Sequence, residues 1–187
     1  KKKKFKNFLD VGCGNGALLA SIKKNFQKVD INGLEVSNFA AKYASLFGKI
    51  FIGNIEDAKY SKNQFDIISS HHVIEHVPDP VSFIINIKKF LKKNGILILA
   101  APDFDSGCAR LFGKKYRLLN DPTHINLFSN DSMHRFLRDN GFDIEYVEYP
   151  FFKTNYFNKA SLKRLFDKTK VSPPFYGNFM TFFCRKI

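Results

Sequence analysis

A glycine-rich turn near the start of the chain is the first feature whose residue types could bind a ligand. The stretch from Phe8 to Gly16 runs from an apolar strand through three glycines into a helical pattern. Glycine tolerates positive φ angles and close backbone approach to a ligand, and the helix N-terminus offers free N–H groups. Glu35 ends the next apolar strand about 20 residues later, where a carboxylate can accept hydrogen bonds from ribose hydroxyls. Together these residues predict a site for a cofactor of the adenosine type.

The spacing of the glycines distinguishes two families of proteins that bind such cofactors. A dinucleotide fingerprint, G-x-G-x-x-G, needs its third glycine at the position of Ala17. The pattern D-x-G-x-G-x-G from Asp10 to Gly16 instead resembles motif I of the class I S-adenosylmethionine-dependent methyltransferases. The alternative is that the glycines serve only a tight turn.

The resemblance implies a position for each part of the cofactor. The glycine turn lies near its methionine part, the acidic residue at the end of the second strand holds its ribose, and the end of the third strand contacts its adenine. The cofactor-binding residues implied in this way are Asp10, Gly12, Gly14, Gly16, Glu35, Asn54, Ile55, Ser70 and His71. The product formed from the cofactor would be S-adenosylhomocysteine.

A histidine-rich stretch after the fourth predicted strand is the second cluster of chemistry-bearing residues. Its sequence Glu-His-Val-Pro-Asp-Pro, from Glu75 to Pro80, resembles one small-molecule branch of the same methyltransferases. In the ubiquinone-biosynthesis members a Glu-x-x-Glu-His stretch at this place binds a divalent ion. The resemblance therefore implies a metal site of His72, Glu75 and His76, with His72 replacing the first glutamate. Structural and acid-base roles for these residues remain open.

The same residues also match H-x-x-E-H, the inverted motif of zinc peptidases. That motif needs its histidines on one face of a helix. Pro78 and Pro80 follow directly here and would break such a helix, so the peptidase interpretation is rejected.

Methyl transfer to a hydroxyl needs alignment of the reactants and a group that takes the proton of the acceptor. A base or a metal ion can supply the second requirement. The candidate catalytic residues, on loops at the predicted carboxyl edge of the sheet, are His124, His72, Glu75 and Asp103. We expect His124 to be the base, and the alternative is that it braces its loop.

Three cations on a later loop indicate the chemistry of the acceptor. Lys114, Lys115 and Arg117 are candidate substrate-binding residues, because cations near an acceptor suit a phosphate or pyrophosphate. A solvated basic surface is the alternative for all three.

The elements that must position these residues alternate between short apolar runs and helical patterns, which is typical of an α/β fold. The predicted strands cover 5–11, 29–34, 49–52, 65–70, 96–101, 142–149 and 179–185, and the predicted helices cover 17–25, 37–47, 80–93, 131–140 and 160–168. The resemblance implies a Rossmann-like, seven-stranded, mostly parallel sheet with helices on both faces and an antiparallel last strand.

A single methyltransferase domain is expected over residues 1–187. Residues 5–101 would form its cofactor-binding half, and residues 102–187 the acceptor lid and the C-terminal strands. Pro102 to Phe128 carries no clear periodicity and is predicted to be a long functional loop or lid. Because the first residue is not Met and lies almost directly against a strand, we expect a further segment upstream of Lys1.

Composition excludes several classes of protein. The 187 residues are 44% hydrophobic and 25% charged, which is typical of a globular domain, and no apolar run approaches the ~20 residues of a membrane span. Three widely spaced cysteines indicate neither a disulfide framework nor a thiolate zinc site and suit a reducing cytoplasm. A net charge of +13 indicates nucleic acid, a membrane surface or a phosphorylated substrate as a partner, or else a genome rich in lysine.

These observations favour an O-methyltransferase that acts on a small polar metabolite. The predicted acceptor is a nucleotide-activated or surface-polysaccharide sugar, and the cofactor is S-adenosylmethionine with a divalent metal as an option. An RNA methyltransferase is the first alternative, although Ser70 to Val73 stand where enzymes of exocyclic base amines carry Asn/Asp-Pro-Pro-aromatic. A non-catalytic cofactor-binding partner protein is the second.

Overall fold

One seven-stranded sheet organises the chain. The computed structural model describes residues 5–149, 156–174 and 178–187. The strands are β1 (Asn7–Val11), β2 (Asp30–Glu35), β3 (Lys49–Ile52), β4 (Phe65–His71), β5 (Leu91–Pro102), β6 (Phe142–Glu148) and β7 (Phe179–Lys186). Their order across the sheet is β3-β2-β1-β4-β5-β7-β6, and only the two pairings of β7 are antiparallel. The predicted sheet, including its antiparallel last strand, is confirmed.

Helices pack on both faces of this sheet. They are α1 (Ala17–Asn25), α2 (Asn38–Ala44), α3 (Pro80–Phe90), α4 (Gly107–Phe112), α5 (Asn130–Asp139) and α6 (Lys159–Arg164). Side chains alternate between the faces along β1, so Phe8 packs with α1 and α2 whereas Leu9 and Val11 pack with α3 and α5. No helix in the described ranges is both long and apolar enough to cross a membrane.

The third helix begins as predicted and ends earlier than predicted. The carboxylate of Asp79 accepts hydrogen bonds from the N–H groups of Val81 and Ser82 (2.9 and 3.0 Å), and Pro80 occupies the first turn. The helix was expected to continue to Lys93, but it ends at Phe90. Leu91 is fully buried and pairs with Phe65 of β4, so sheet pairing overrides the local helical pattern.

The lid segment, residues 102–128, is more ordered than a loop. It contains α4 and two 3₁₀ turns, Gly113–Lys115 and Arg117–Asn120. These short elements pack around the ring of Tyr116, which is fully buried, and the Tyr116 hydroxyl donates to the carbonyl of Asp103 (3.3 Å). The segment was predicted to be a long functional loop or lid, and its short helices were not predicted because helices of one or two turns leave no detectable apolar period.

Candidate functional site

The glycine turn connects β1 to α1 at the carboxyl edge of the sheet. Gly12, Gly14 and Gly16 have φ angles of 77°, 52° and 84°, in the left-handed region that favours glycine. The N–H groups of Gly12 and Cys13 both donate to the carbonyl of Leu34 at the end of β2 (2.8 and 3.0 Å). The turn is therefore held against β2 by backbone bonds.

Glu35 is tied into the same turn. One carboxylate oxygen accepts a hydrogen bond from the N–H of Gly14 (2.8 Å) and the other accepts one from the N–H of Ser37 (2.9 Å). A carboxylate offers about four acceptor positions, so two remain for further hydroxyl donors. The side chain lines a cavity beside the turn, as expected for a group that holds a ribose.

Asp10 lies beneath the turn and is buried, with 4% of its surface exposed. The hydroxyl of Ser69 on β4 donates to its carboxylate (2.7 Å). Burial raises the pKa of Asp10 to about 6; the Ser69 bond opposes this shift, and the charge of Glu35 adds to it. Burial and the same two carboxylates raise the pKa of the Cys13 thiol to about 12, so this cysteine is not a reactive thiolate.

The cavity beside the turn, called the glycine-turn cavity below, has a volume of about 420 Å³. It brings together four of the predicted cofactor residues, namely Gly12, Glu35, Asn54 and Ile55. Asp10, Gly14 and Gly16 support it from the turn without lining it. Ser70 is buried beside β1, and His71 is exposed at the end of β4; neither side chain lines this cavity.

Val73 also lines the glycine-turn cavity, and sequence reasoning missed it. A Cβ atom on Gly12 would lie 2.2 Å from the Cγ2 atom of Val73. Only a glycine therefore lets the β4 loop, residues 72–79, close against the turn. Nothing local in the sequence marks this contact, because the two residues are 61 positions apart.

A second cavity, the lid cavity, has a volume of about 350 Å³ between the β4 loop and the lid segment. It contains three predicted catalytic residues, His72, Glu75 and His124, together with Arg117. His72 and His76 line both cavities, so the two volumes meet at these imidazoles.

Three predicted site residues lie outside the lid cavity. Asp103 accepts hydrogen bonds from the N–H groups of Asp105 (3.0 Å) and Asn130 (3.3 Å), and so joins the end of β5 to the start of α5. The ammonium of Lys115 donates to the carbonyl of Thr169 (2.9 Å), and Lys114 is exposed. Of the three predicted substrate-binding cations, the structure brings only Arg117 to the cavity.

Backbone bonds dock the lid segment on the β4 loop. The N–H groups of Ile125 and Asn126 donate to the carbonyl of Glu75 (2.9 and 3.1 Å), and the Asn126 amide donates to the carbonyl of Val77 (2.6 Å). Because these bonds cross between segments distant in sequence, they place His124 of the lid beside Glu75 and His76.

Glu75 is the most unusual group of the lid cavity. Only 1% of it is exposed, and neither carboxylate oxygen has a hydrogen-bond partner among the described residues. The nearest imidazole nitrogens are His72 Nδ1 at 3.5 Å and His76 Nε2 at 3.9 Å from Oε1. Buried polar groups usually have a partner, so an unpartnered buried carboxylate marks Glu75 as a candidate binding group.

Known proteins resemble this chain in sequence and in fold. A family model described as a methyltransferase domain matches residues 1–147, which is most of the chain. The chain belongs to this family. The predicted S-adenosylmethionine cofactor of the methyltransferase domain is confirmed at the level of the family.

Two relatives are examples of the similarity in sequence. An uncharacterized methyltransferase of Schizosaccharomyces pombe is 29% identical over 163 residues, covering 78% of this chain and 58% of the relative. A ubiquinone biosynthesis O-methyltransferase of Histophilus somni is 31% identical over 134 residues, covering 64% of this chain and 56% of the relative. The methyltransferase chain thus spans about half the length of the curated relatives it matches.

Solved structures support the fold. A SAM-dependent methyltransferase of Thermotoga maritima superimposes with a TM-score of 0.73 at 22% identity, covering 99% of this methyltransferase chain and 84% of that chain. A SAM-dependent methyltransferase of Archaeoglobus fulgidus gives a TM-score of 0.69 at 15% identity, covering 97% and 86%. At these identities the similarity establishes the fold.

Proposed function

We propose that the protein transfers a methyl group from S-adenosylmethionine to a hydroxyl of a small anionic acceptor bound in the lid cavity. One observation carries this proposal: His72 and His76 line both cavities, so a cofactor in one and an acceptor in the other would meet at these side chains. Both volumes fall within the usual range of small-molecule sites. The O-methyltransferases among the relatives favour an oxygen acceptor.

The proposed cofactor orientation uses the groups of the glycine-turn cavity. Glu35 keeps free acceptor positions for the ribose hydroxyls, and Asn54 and Ile55 provide one polar and one buried apolar surface for the adenine. The glycine turn faces the methionine part, and the charge of Asp10 lies below it. A cofactor held by these groups would have its sulfonium near His72 and His76, where the two cavities meet.

His72 is the residue that we assign as the general base. Its Nδ1 atom faces the buried Glu75 carboxylate at 3.5 Å, which favours a proton on Nδ1 and leaves Nε2 as the acceptor. Its ring packs edge-on against Phe179 (centroids 4.7 Å apart), which holds its orientation. A bound S-adenosylmethionine would supply an activated methyl group to the acceptor oxygen, and Nε2 of His72 would take the proton that the acceptor hydroxyl loses.

Arg117 determines the acceptor class that we propose. It is the one predicted cation that lines the lid cavity, and a guanidinium binds carboxylate or phosphate in a fixed two-pronged geometry. The acceptor should therefore carry a hydroxyl and an anionic group. The nucleotide-activated or polysaccharide sugar predicted from the sequence is one such compound, and a hydroxylated aromatic acid is another.

The test is mass-spectrometric detection of methylated product from labelled S-adenosylmethionine with the full chain. The acceptor panel contains nucleotide-activated sugars, hydroxylated aromatic carboxylates and bulk RNA. Methylation of an anionic small molecule supports the proposal. Methylation of RNA alone would overturn the acceptor class, and cofactor binding without any product would favour a non-catalytic partner protein.

Two variants separate the acceptor site from general surface charge. Arg117→Met should raise KM for the anionic acceptor by about tenfold or more with a smaller change in kcat, since a charge-assisted hydrogen bond contributes about 1.5–3 kcal/mol. Lys114→Met is the matched control, because Lys114 lies outside the cavity and only three residues away. Equal effects of the two substitutions would contradict the role of Arg117.

A further inference from the structure

We infer that Glu75, His76 and His124 bind a divalent transition metal that joins the β4 loop to the lid segment. This inference rests on the proposed function, and it differs from the sequence prediction of His72, Glu75 and His76. One potential ligand atom from each of Glu75, His76 and His124 lies within 4.8 Å of the other two.

The Glu75 carboxylate supplies the first argument. Both of its oxygens are buried and have no hydrogen-bond partner in the described part of the chain, although the backbone carbonyl of the same residue accepts two bonds. A buried carboxylate without a partner costs several kcal/mol, whereas a cation held between its oxygens and neighbouring imidazoles removes that cost.

The orientation of the two imidazoles supplies the second argument. The Nδ1 atom of His76 lies 3.0 Å from the carbonyl of Thr123, and that of His124 lies 2.7 Å from the carbonyl of Leu118. A carbonyl can only accept, so each Nδ1 carries the proton and each Nε2 presents a lone pair. Metal-binding histidines have this arrangement, in which an outer carbonyl sets the tautomer and the ring orientation.

The distances suit a site that closes around an ion. His76 Nε2 lies 3.9 Å from Glu75 Oε1, and the rings of His76 and His124 are 4.8 Å apart. Donors bound at about 2.0–2.1 Å in a tetrahedral site are about 3.4 Å from one another, so movements on the order of 1 Å complete it. The side chain of His124 is almost fully buried, and that of His76 is half-exposed toward the lid cavity.

The donor set determines the class of metal. Two imidazole nitrogens and one carboxylate suit Zn²⁺, Co²⁺, Fe²⁺ or Mn²⁺, whereas Mg²⁺ prefers oxygen donors and retained water. Three protein ligands leave a position open to the lid cavity. An ion bound there would lower the pKa of a hydroxyl that reached it. This assignment leaves His72 outside the metal site, free to act as the base.

Metal binding can be measured without any methyltransferase assay. The full chain is stripped with a chelator, dialysed, and titrated separately with Zn²⁺, Co²⁺ and Mg²⁺. Elemental mass spectrometry after gel filtration reports the stoichiometry, and the visible spectrum of Co²⁺ reports its ligands. We expect one equivalent of Zn²⁺ or Co²⁺ to be retained and Mg²⁺ to be lost. Retention of no metal, or equal retention of Mg²⁺, would overturn the inference.

Variants then identify the ligands. Glu75→Gln and His124→Gln should each weaken Zn²⁺ binding by tenfold or more, while His72→Gln retains it. His134→Gln is the control, because His134 packs on Phe182 away from the cavity. Unchanged binding in His124→Gln, or loss of binding in His72→Gln, would favour the set predicted from sequence over this one. Urea unfolding of each metal-free variant shows whether it is folded.

A metal ion that joins the β4 loop to the lid segment should also change amide hydrogen exchange in the lid segment. Zn²⁺ should slow amide hydrogen exchange across residues 118–126 of the wild-type chain by several fold and leave the exchange of His124→Gln unchanged. Equal slowing in both would show that the lid segment does not supply a ligand. Because these readouts involve neither cofactor nor acceptor, an inactive protein that binds Zn²⁺ refutes the proposed function only, and an active protein that binds none refutes the metal site only.

Discussion

Asp10 is the position at which one substitution should raise stability and lower cofactor affinity together. Its carboxyl group is buried under the glycine turn, and burial raises its pKa from 3.8 to about 6. The folded state therefore holds this proton more tightly than the unfolded state does. The stabilising contribution of the group is complete below about pH 4 and is lost as the pH rises through about 6.

The magnitude follows from the size of the shift. A difference of about two pKa units corresponds to about 3 kcal/mol of free energy of unfolding. Asn at position 10 keeps an oxygen that can accept from Ser69 and has no charge to bury. Asp10→Asn should therefore match the wild type near pH 4 and exceed its free energy of unfolding by up to about 3 kcal/mol at pH 7.5.

Urea unfolding of both proteins at pH 4, 5, 6 and 7.5 tests this expectation. Calorimetric titration at pH 7.5 should show weaker S-adenosylmethionine binding by the variant, because the negative charge below the turn is gone. A stability difference that does not change with pH, or one that favours the wild type at pH 7.5, would refute the reasoning.

Asp66 provides a matched control, because its pKa is shifted in the opposite direction to that of Asp10. Burial opposes its ionisation, but hydrogen bonds from Lys92 and from the N–H groups of Lys6 and Asn7 outweigh burial and lower its pKa. Its contribution is present at neutral pH and is lost as the pH falls. Asp66→Asn should therefore destabilise the protein at pH 7.5 and still at pH 4, and the loss should shrink only as the pH falls below 3.8.

Two further predictions concern the backbone around the site. Gly12→Ala should cost about 3 kcal/mol, because it combines a left-handed φ angle with the overlap with Val73, whereas Gly14→Ala, with no neighbour within 4 Å, should cost about 1–2 kcal/mol; equal losses in urea unfolding would contradict the contact. Asp79→Ala should lower the free energy of unfolding by about 1 kcal/mol through loss of the α3 cap, and Asp79→Ser should recover most of it. A loss that persists in Asp79→Ser would show that the cap is not the cause.

Local signals in the sequence were sufficient for most of the fold. The bounds of α1 and β3 agree with the prediction, because the apolar periodicity within each element and the glycines next to it are local features of the sequence. The positive φ angles of the glycine turn also follow from residue type alone. Glu35 was predicted beside that turn because parallel neighbouring strands end at the same edge of the sheet.

The ends of some elements depended on distant partners. The last turn predicted for α3 was lost because Leu91 pairs with Phe65 on another strand. The short helices of the lid segment form around the buried ring of Tyr116, and no window of local sequence contains that packing.

The assignment of side chains to the site was decided by tertiary structure. Lys115 and Arg117 are two residues apart and carry the same charge. The ammonium of Lys115 nevertheless donates to the carbonyl of Thr169, whereas Arg117 lines the lid cavity. His124 reaches Glu75 and His76 across almost 50 positions because backbone bonds dock the lid on the β4 loop. The sequence by itself determined the fold family and the cofactor-binding turn, since both arise from local backbone requirements. Only the packing of distant segments decided which charged groups face the lid cavity. The hydrogen-bond partners and the burial of these groups depend on contacts between segments far apart in the sequence, which local sequence does not encode.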